Sequence, residues 1–276
     1  MIVFISYGDV VFEKSLKRIT KEARKLKIFD KVIAYTPSDL SVEIKQSPLM
    51  GYKRGGGYWL WKPYLIWKTM LKYPDATIVY ADAGCTLNKN YDEWNSWFEI
   101  MKTTDTLLTH YQPNVDYGWD VFDSQSVEIA TWTKRTTLEY FDNRFNSIDW
   151  HNNNKIWGGF IIAKNKSCLI KDVLDIMLSR PELVIDPTEE ELYNQHSEFC
   201  QHRHDQSIIT PLAYWYKANN PNVVEIIPET GESNTSAAVV ASRIRDSRIV
   251  PLKTRIIHNL KSFIGNRAYN LLHFWR

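Results

Sequence analysis

The sequence predicts an α/β fold in which a Rossmann-like mixed sheet is flanked by helices in a single domain. Short apolar segments alternate with stretches of helical periodicity, and one apolar segment, residues 76–80, has no polar alternation, as in a strand buried on both faces. With 276 residues, 44% of them hydrophobic, the chain is long enough to bury a substantial core. We expect residues 1–240 to form this domain.

The N-terminal residues predict a β-turn-α opening. Residues 2–6 are apolar and end at Tyr7-Gly8-Asp9, and residues 11–26 then carry helical spacing with lysines and arginines facing outward. A second strand is predicted at 31–35, before the turn formers of residues 36–39. Strands and helices therefore alternate from the start of the chain.

A glycine triplet precedes the next helix. Residues 55–57 interrupt the chain, and Pro63 suits the first turn of a helix that we expect to end near Lys72. The apolar segment 76–80 follows and ends at Asp82. A carboxylate at the C-terminal end of a buried strand lies where open α/β sheets bind their ligands, so Asp82 is the first candidate site residue.

The second half of the chain repeats these patterns less regularly. Helices are predicted at 92–102, 124–141, 168–178, 187–195 and 206–216, and strands at 157–163 and 223–227.

Positive charge is concentrated at the C-terminal end of the sequence. Residues 241–276 carry a net charge of +7, against −5 for the rest of the chain. Their basic residues alternate with large apolar ones, which predicts a basic amphipathic helix that binds an anionic membrane surface. The alternative is a C-terminal helix whose apolar face packs on the domain.

Several classes of protein are excluded or disfavoured by the sequence. The chain has neither an apolar run near the roughly 20 residues that span a bilayer nor a basic-flanked secretion signal, so we expect a cytoplasmic protein. Its three cysteines form neither a CxxC pair nor an even disulfide set. No P-loop, HExxH or GxSxG motif occurs, which disfavours P-loop NTPases, zincins and α/β-hydrolases.

The strongest signal is the run from Arg54 to Tyr64, Arg-Gly-Gly-Gly-Tyr-Trp-Leu-Trp-Lys-Pro-Tyr, followed by a strand that ends in Asp-Ala-Gly. Together with the segments at 157–160 and 204–207, Trp-Gly-Gly-Phe and His-Asp-Gln-Ser, it resembles the GT-A glycosyltransferases of bacterial capsule and O-antigen gene clusters. The resemblance spans roughly residues 1–210. It implies a GT-A-like fold and a hexosyltransferase-like enzyme that transfers a sugar from a nucleotide-diphosphate sugar to a hydroxyl of a surface polysaccharide or lipid-linked glycan.

The resemblance also implies roles for individual residues. The catalytic carboxylates would be Asp82 and Asp205, the latter as base, nucleophile or hydroxyl ligand. The donor would be bound by Tyr7, Arg54, Trp59, Lys62, Asp82, Ala83 and Gly84, and the acceptor or sugar by Trp157, Gly158, Gly159, His204 and Gln206. Arg54 and Lys62 would face the diphosphate, because charge develops there on the leaving group.

Metal dependence is the least determined part of this hypothesis. In the DxD motif of these enzymes a second aspartate would fall at Gly84, so Asp82 would be left with few oxygen ligands for Mn²⁺ or Mg²⁺. A metal held by Asp82 and a histidine such as His202, His204 or His258 would restore the site. A metal-free site that uses Arg54 and Lys62 is the alternative.

Other interpretations of the same residues stay open. Asp82 and Asp205 can be turn and helix caps, and Trp59 can be a core residue. Two other functions compete, namely a non-catalytic carbohydrate-binding protein and a glycoside hydrolase that uses the two aspartates as its carboxylate pair. Nucleic-acid binding is disfavoured because the basic residues cluster in one terminal segment.

Overall fold

The computed structural model describes residues 1–117, 126–232 and 234–244. Six of the described strands form one mixed sheet in the order β2-β1-β3-β6-β5-β7, and β4 pairs with β8 in a separate two-stranded ribbon. The strands are β1 (Ile2–Tyr7), β2 (Lys31–Tyr35), β3 (Thr77–Ala81), β4 (Thr86–Leu87), β5 (Thr106–His110), β6 (Ile156–Ala163), β7 (Val224–Pro228) and β8 (Val239–Val240). The predicted α/β fold with a mixed sheet is confirmed.

Helices cover both faces of this sheet. The described helices are α1 (Glu13–Leu26), α2 (Val42–Gln46), α3 (Gly55–Tyr58), α4 (Trp61–Lys72), α5 (Tyr91–Ile100), α6 (Arg135–Phe145), α7 (Cys168–Ser179), α8 (Glu189–Tyr193) and α9 (Asp205–Asn219). Alternate strand residues point to opposite faces. Hence Ile78 and Tyr80 of β3 join a core with α4, α6, α7 and α9, whereas Val79 and Ala81 join a second core with α1 and α5.

The strand directions place a crevice at one edge of the sheet. β1 is parallel to both of its neighbours, β2 and β3, so the carboxyl ends of these three strands lie at the same edge. The chain leaves β1 through α1 toward β2 and later returns to the other side of β1 as β3. Such a reversal of strand order opens a crevice where α/β sheets bind ligands. The antiparallel strand β6 contributes its N-terminal end to the same edge.

Most elements lie where the sequence predicts them, but the short elements α2, β4 and β8 were not predicted. Strand β5 was not predicted, although it pairs with both β6 and β7 inside the sheet. The helix predicted over 124–141 is wrong in its bounds, because a short 3₁₀ turn at Ala130–Trp132 precedes α6, which starts at Arg135. Two extended residues, Thr133 and Lys134, separate the turn from α6, so one continuous helix is not formed.

The end of the described chain returns to this edge of the sheet. The backbone N–H of Ile244 donates to the carbonyl of Gly84 at 3.1 Å, and the Ser15 hydroxyl donates to the carbonyl of Ile244 at 2.9 Å. The predicted amphipathic helix and His258 fall almost wholly beyond residue 244, outside the described residues, so these predictions and the boundary at residue 240 stay untested. None of the helices in the described part is long and apolar enough to span a bilayer.

Candidate active site

Asp82 lies at the crevice, one residue beyond the end of β3. Its backbone N–H donates to the Gly159 carbonyl of β6 at 2.9 Å, which extends the β3–β6 pairing by one residue. The side chain is 37% exposed, and its Oδ1 accepts a hydrogen bond from the Tyr80 hydroxyl on the same face of β3. The Tyr80 hydroxyl therefore holds one carboxylate oxygen of Asp82 in place, and the carboxylate is still open to a ligand.

Lys62 joins three elements at this point. Its Nζ lies 2.7 Å from Asp205 Oδ2 at the start of α9, 2.8 Å from the Gly158 carbonyl of β6, and 3.8 Å from Asp82 Oδ1. The Lys62 side chain is 5% exposed and that of Asp205 11%. The structure thus brings together four of the residues that the sequence singles out, and it turns the Lys62 ammonium toward protein oxygens. Phosphate binding by Lys62 stays a prediction.

Burial and the two carboxylates act against each other at this centre. Burial lowers the pKa of Lys62, but the charges of Asp205 and Asp82 outweigh it, so the pKa is raised and the ammonium stays charged. Burial raises the pKa of Asp205, and the ammonium opposes that rise only in part. Burial, with Asp82 next to it, raises the pKa of Tyr80 well above its ordinary value, so Tyr80 remains a hydrogen-bond donor.

The glycine triplet forms a left-handed turn that leads into α4. Five consecutive residues, from Gly55 to Trp59, have φ between 50° and 96°. The N–H of Tyr58 donates to the Arg54 carbonyl at 2.8 Å and that of Trp59 to the Gly55 carbonyl at 3.2 Å, as in one turn of a left-handed helix. Side chains are strained in this region, so the three glycines are the reason that the turn forms. It reverses the chain just before Lys62.

An aromatic stack holds this turn against β1. The rings of Tyr7 and Trp61 lie 4.2 Å apart at an interplanar angle of 23°, and Trp61 Nε1 donates to the Gly55 carbonyl at 2.9 Å. Burial, with a smaller contribution from Asp9, raises the pKa of Tyr7 to about 12. Tyr7 and Trp61 are both buried, so they shape the floor of the crevice from the core side.

A second polar cluster forms on the other side of the turn. The Tyr58 hydroxyl donates to Asp186 Oδ2 at 2.8 Å, and Arg54 lies 3.3 Å from Asp186 Oδ1. The His204 ring is 4.7 Å from the Tyr58 ring and stacks on Trp59 at 5.6 Å, while its Nδ1 donates to the Val184 carbonyl at 2.8 Å. Burial lowers the pKa of His204 to about 4.

The glycines and the tryptophan that were predicted to bind the sugar pack against other residues of the protein. A Cβ on Gly158 would lie 3.2 Å from the Gln206 side chain, so this glycine makes room for Gln206. A Cβ on Gly159 would overlap the ring of Trp157, which is 5% exposed in the second core. Sugar contacts by these residues stay predictions.

The loop after Asp82 is held from α1. Arg18 donates to the Ala83 carbonyl at 2.9 Å and to the Cys85 carbonyl at 2.7 Å. Ala83 is buried and Gly84 is half-buried under residues 243 and 244. Arg18 therefore fixes the backbone of the segment that the sequence compares with a DxD motif.

The described residues do not form a divalent metal site. No group of three or more His, Cys, Asp or Glu side chains that could hold a metal occurs within residues 1–117, 126–232 and 234–244. The two carboxylates of the crevice already share the Lys62 ammonium, and both nitrogens of His202 bond the backbone, of Lys134 at 3.2 Å and Leu183 at 3.0 Å. The predicted ligand pair of Asp82 and His258 is not tested, because His258 lies outside the described part.

Three contributors were missed from the sequence. Asp186 follows a short 3₁₀ turn in a loop, and only its contact with Tyr58 reveals it. Arg18 has the spacing of an outward-facing cation of an amphipathic helix, and Tyr80 has that of a core residue. The i, i+2 spacing of Tyr80 and Asp82 was the one available signal, because it places both on one face of a strand.

Comparison with known proteins gives structural likeness alone. No protein-family model and no curated protein matches the chain. A crystal structure of a glycosyltransferase involved in the glycosylation of the major capsid of PBCV-1 is 10% identical with a TM-score of 0.43, covering 82% of this chain and 81% of that chain. Apo mouse xyloside xylosyltransferase 1 is 12% identical with a TM-score of 0.39, covering 82% and 85%. At TM-scores below 0.5 this likeness assigns no role to any residue.

Proposed function

We propose that this chain is a glycosyltransferase that moves a hexose from a nucleotide-diphosphate sugar to a hydroxyl of a surface polysaccharide or lipid-linked glycan. The observation that carries the proposal is the meeting of Asp82, Asp205 and Lys62 at the carboxyl ends of β1 and β3. The motifs that carry the sequence resemblance come from distant parts of the chain, and these three residues belong to them.

Transfer breaks the bond between the sugar C1 and the diphosphate oxygen and forms a bond between C1 and the acceptor oxygen. The nucleoside diphosphate leaves with the electron pair, and the acceptor hydroxyl gives its proton to a carboxylate of the crevice. Asp82 is the more accessible of the two carboxylates and is proposed to meet the substrate first. Asp205, behind Lys62, is proposed to lie near the transferred sugar.

The diphosphate needs a cation that is free to reach it. Arg54 is proposed for this role, since it stands at the rim and its side chain is 40% exposed. Its present partner, Asp186, is 39% exposed, and such surface pairs are worth about 0–1 kcal/mol. Arg54 can therefore exchange Asp186 for a phosphate at small cost, whereas Lys62 cannot leave the buried Asp205 carboxylate as cheaply.

The acceptor is proposed to lie at an anionic membrane surface on the cytoplasmic side, to which residues 241–276 bind. Of their eight basic residues, Arg243 lies within the described part of the chain, where it contacts Glu232 at 2.6 Å and is 65% exposed. Each such residue near the surface contributes on the order of 1 kcal/mol.

The glycoside hydrolase alternative is less well supported by the crevice. A hydrolase needs its two carboxyl groups on either side of a sugar or water. Here an ammonium group lies between Asp82 and Asp205 instead. A carbohydrate-binding protein without activity would use the same crevice but would not need a nucleotide.

The proposal is tested by measuring thermal shifts of the full chain with UDP-, GDP-, CMP- and dTDP-linked sugars, with and without Mn²⁺. We expect one nucleotide class to raise Tm and the Asp82→Ala variant to lose that rise while it keeps a Tm close to wild type. Release of the nucleoside diphosphate in the presence of acceptor glycans then measures transfer. Binding of free glycans without any nucleotide response would favour the carbohydrate-binding alternative.

A further inference from the structure

Three oxygen groups from three different elements converge on one buried ammonium. One is Oδ1 of Asp82, the residue that follows β3. The second is Oδ2 of Asp205, the first residue of α9, and the third is the carbonyl of Gly158 in β6. The oxygens of Asp205 and Gly158 accept hydrogen bonds from Nζ at 2.7 and 2.8 Å, and Asp82 Oδ1 adds an ion pair at 3.8 Å. The Tyr80 hydroxyl bonds Asp82 and restrains the outermost of these oxygens.

The same set of oxygens also matches what a hard divalent cation prefers. Mg²⁺, Mn²⁺ and Ca²⁺ are bound in proteins by carboxylate and carbonyl oxygens, completed by water. Lys62 Nζ donates to the Gly158 carbonyl at 2.8 Å. What distinguishes this centre from a metal site is the ammonium that fills it.

We infer that Asp82, Asp205 and the Gly158 carbonyl form a cation cage whose resident cation is the Lys62 ammonium, and that a divalent metal binds there only when the ammonium is removed. The cage stabilises Lys62 with two negative charges, and the side chain spans from α4 to reach it. The consequence for the crevice, which rests on the proposed function, is that donor binding does not depend on added divalent metal.

The experiment removes the ammonium and offers a metal in its place. Lys62→Ala leaves both carboxylates and frees the space between them, so MnCl₂ in hundredfold excess over its Kd is expected to raise the Tm of this variant by about 5–10 °C. The wild type should shift by less than about 1 °C under the same conditions. Isothermal titration with MnCl₂ should give one site for the variant alone.

Lys134→Ala is the matched control. Lys134 is equally buried, but its Nζ contacts one carboxylate, that of Glu191, at 3.2 Å. Its removal frees a single carboxylate, which does not make a divalent site, so no Mn²⁺ shift is expected. Lys62→Met is the second control, because its side chain refills the space without charge and should also show no shift.

Each outcome decides the inference. If Lys62→Ala folds only with Mn²⁺, as judged by far-UV circular dichroism after refolding from urea, the metal has replaced the ammonium and the inference holds. A variant that stays unfolded with Mn²⁺, or folds without responding to it, overturns the inference. So does a wild-type Mn²⁺ site that Asp82→Asn removes.

The donor experiment separates this inference from the proposed function. Wild-type protein treated with EDTA should bind its nucleotide sugar with the same Kd as protein supplied with Mn²⁺. If donor binding is lost with EDTA, the metal-independent consequence is wrong. If no nucleotide sugar binds under either condition, the proposed function fails, while the response of Lys62→Ala to Mn²⁺ still tests the cage.

Discussion

Two buried lysines of this protein, Lys62 and Lys134, pair with carboxylates in different ways. Lys134 is 1% exposed and contacts both oxygens of one partner, Glu191, at 3.2 and 3.3 Å. Lys62 is 5% exposed and contacts two carboxylates and a carbonyl. Burial and charge are therefore common to both, and the number and origin of the oxygens distinguish them.

The partner of Lys134 has other structural tasks. Glu191 closes the capping box of α8 with Thr188 and accepts from the Thr136 hydroxyl at 2.9 Å. Burial raises its pKa, but these hydrogen bonds and Lys134 outweigh the burial, so the pKa is lowered. All of these contacts lie at the N-terminal ends of α6 and α8 and hold the two helices together. The carboxylates of Lys62 instead lie at the sheet edge where the crevice opens, which is why we propose a functional role for Lys62 and not for Lys134.

The largest expected effect comes from neutralising these two lysines in turn. Lys62→Met leaves two carboxylates facing each other, at a cost of about 3–5 kcal/mol in the free energy of unfolding, and should lower sugar transfer at least about 100-fold. Lys134→Met leaves one partly exposed carboxylate and should cost about 1.5–3 kcal/mol. Urea unfolding and transfer assays on both variants give the comparison.

The contrast is in activity more than in stability. Lys134→Met should keep the wild-type transfer rate at a temperature where it is folded. Equal loss of transfer in both variants would mean that Lys62 matters only for folding.

Neutralising the carboxylates should sharpen the same contrast. Asp82→Asn and Asp205→Asn keep the side-chain shape but remove the charge, and kcat should fall about 10²–10³-fold in each. We expect Asp82→Asn to weaken donor binding as well, because Asp82 is exposed to the crevice, and Asp205→Asn to change the donor Kd little. Glu191→Gln should leave kcat and donor Kd unchanged. A drop in kcat for Glu191→Gln would remove the distinction between the two lysines.

His204, the neighbour of Asp205, should make stability depend on pH. Its folded pKa of about 4 lies below the unfolded value of about 6.5, so on acidification the unfolded chain takes up a proton first. The free energy of unfolding should fall by about 3 kcal/mol between pH 6.5 and 4 through this residue.

His204→Asn should reduce that loss, and His202, whose pKa is also lowered mainly by burial, should account for part of the remaining slope. Urea unfolding of the wild type and of His204→Asn from pH 7.5 to 4 measures this pH dependence. At pH 7.5 the imidazole is neutral in both states, so that measurement is the control for packing changes. An unchanged slope in His204→Asn would show that His204 does not titrate as the geometry implies.

The sequence was most informative where one residue type has one physical use. Glycines 55–57 predicted a break, and they form a left-handed turn that side chains would strain. Asp82 at the end of an apolar strand predicted the crevice, because strand ends share one edge of a sheet.

Contacts between distant segments could not be derived in this way. The sequence predicts that Lys62 faces phosphate, which stays a prediction, but nothing local shows that Asp205, 143 positions later, lies 2.7 Å from its Nζ. Strand β5 was missed because its Thr-Leu-Leu-Thr-His sequence is short and weakly patterned, and its pairing with β6 and β7 fixes it. Asp186 was missed for the same reason, since tertiary structure alone brings it to Tyr58.

The smallest expected effect on stability extends the comparison to an exposed cation. Arg54→Ala breaks a surface pair with Asp186 and should change the free energy of unfolding by less than about 1 kcal/mol. If Arg54 exchanges Asp186 for the diphosphate, the variant should nevertheless bind the nucleotide sugar about tenfold more weakly, because a charge-assisted hydrogen bond is lost.

Isothermal titration of Arg54→Ala and of Arg54→Lys measures the donor affinity. Arg54→Lys keeps the charge but loses the two-pronged guanidinium hydrogen bonding. Lys17→Ala, which breaks another exposed pair on α1, should leave the donor Kd unchanged. Unaltered donor affinity in Arg54→Ala would contradict the phosphate role of Arg54 and leave Lys62 as the other cation proposed for the diphosphate.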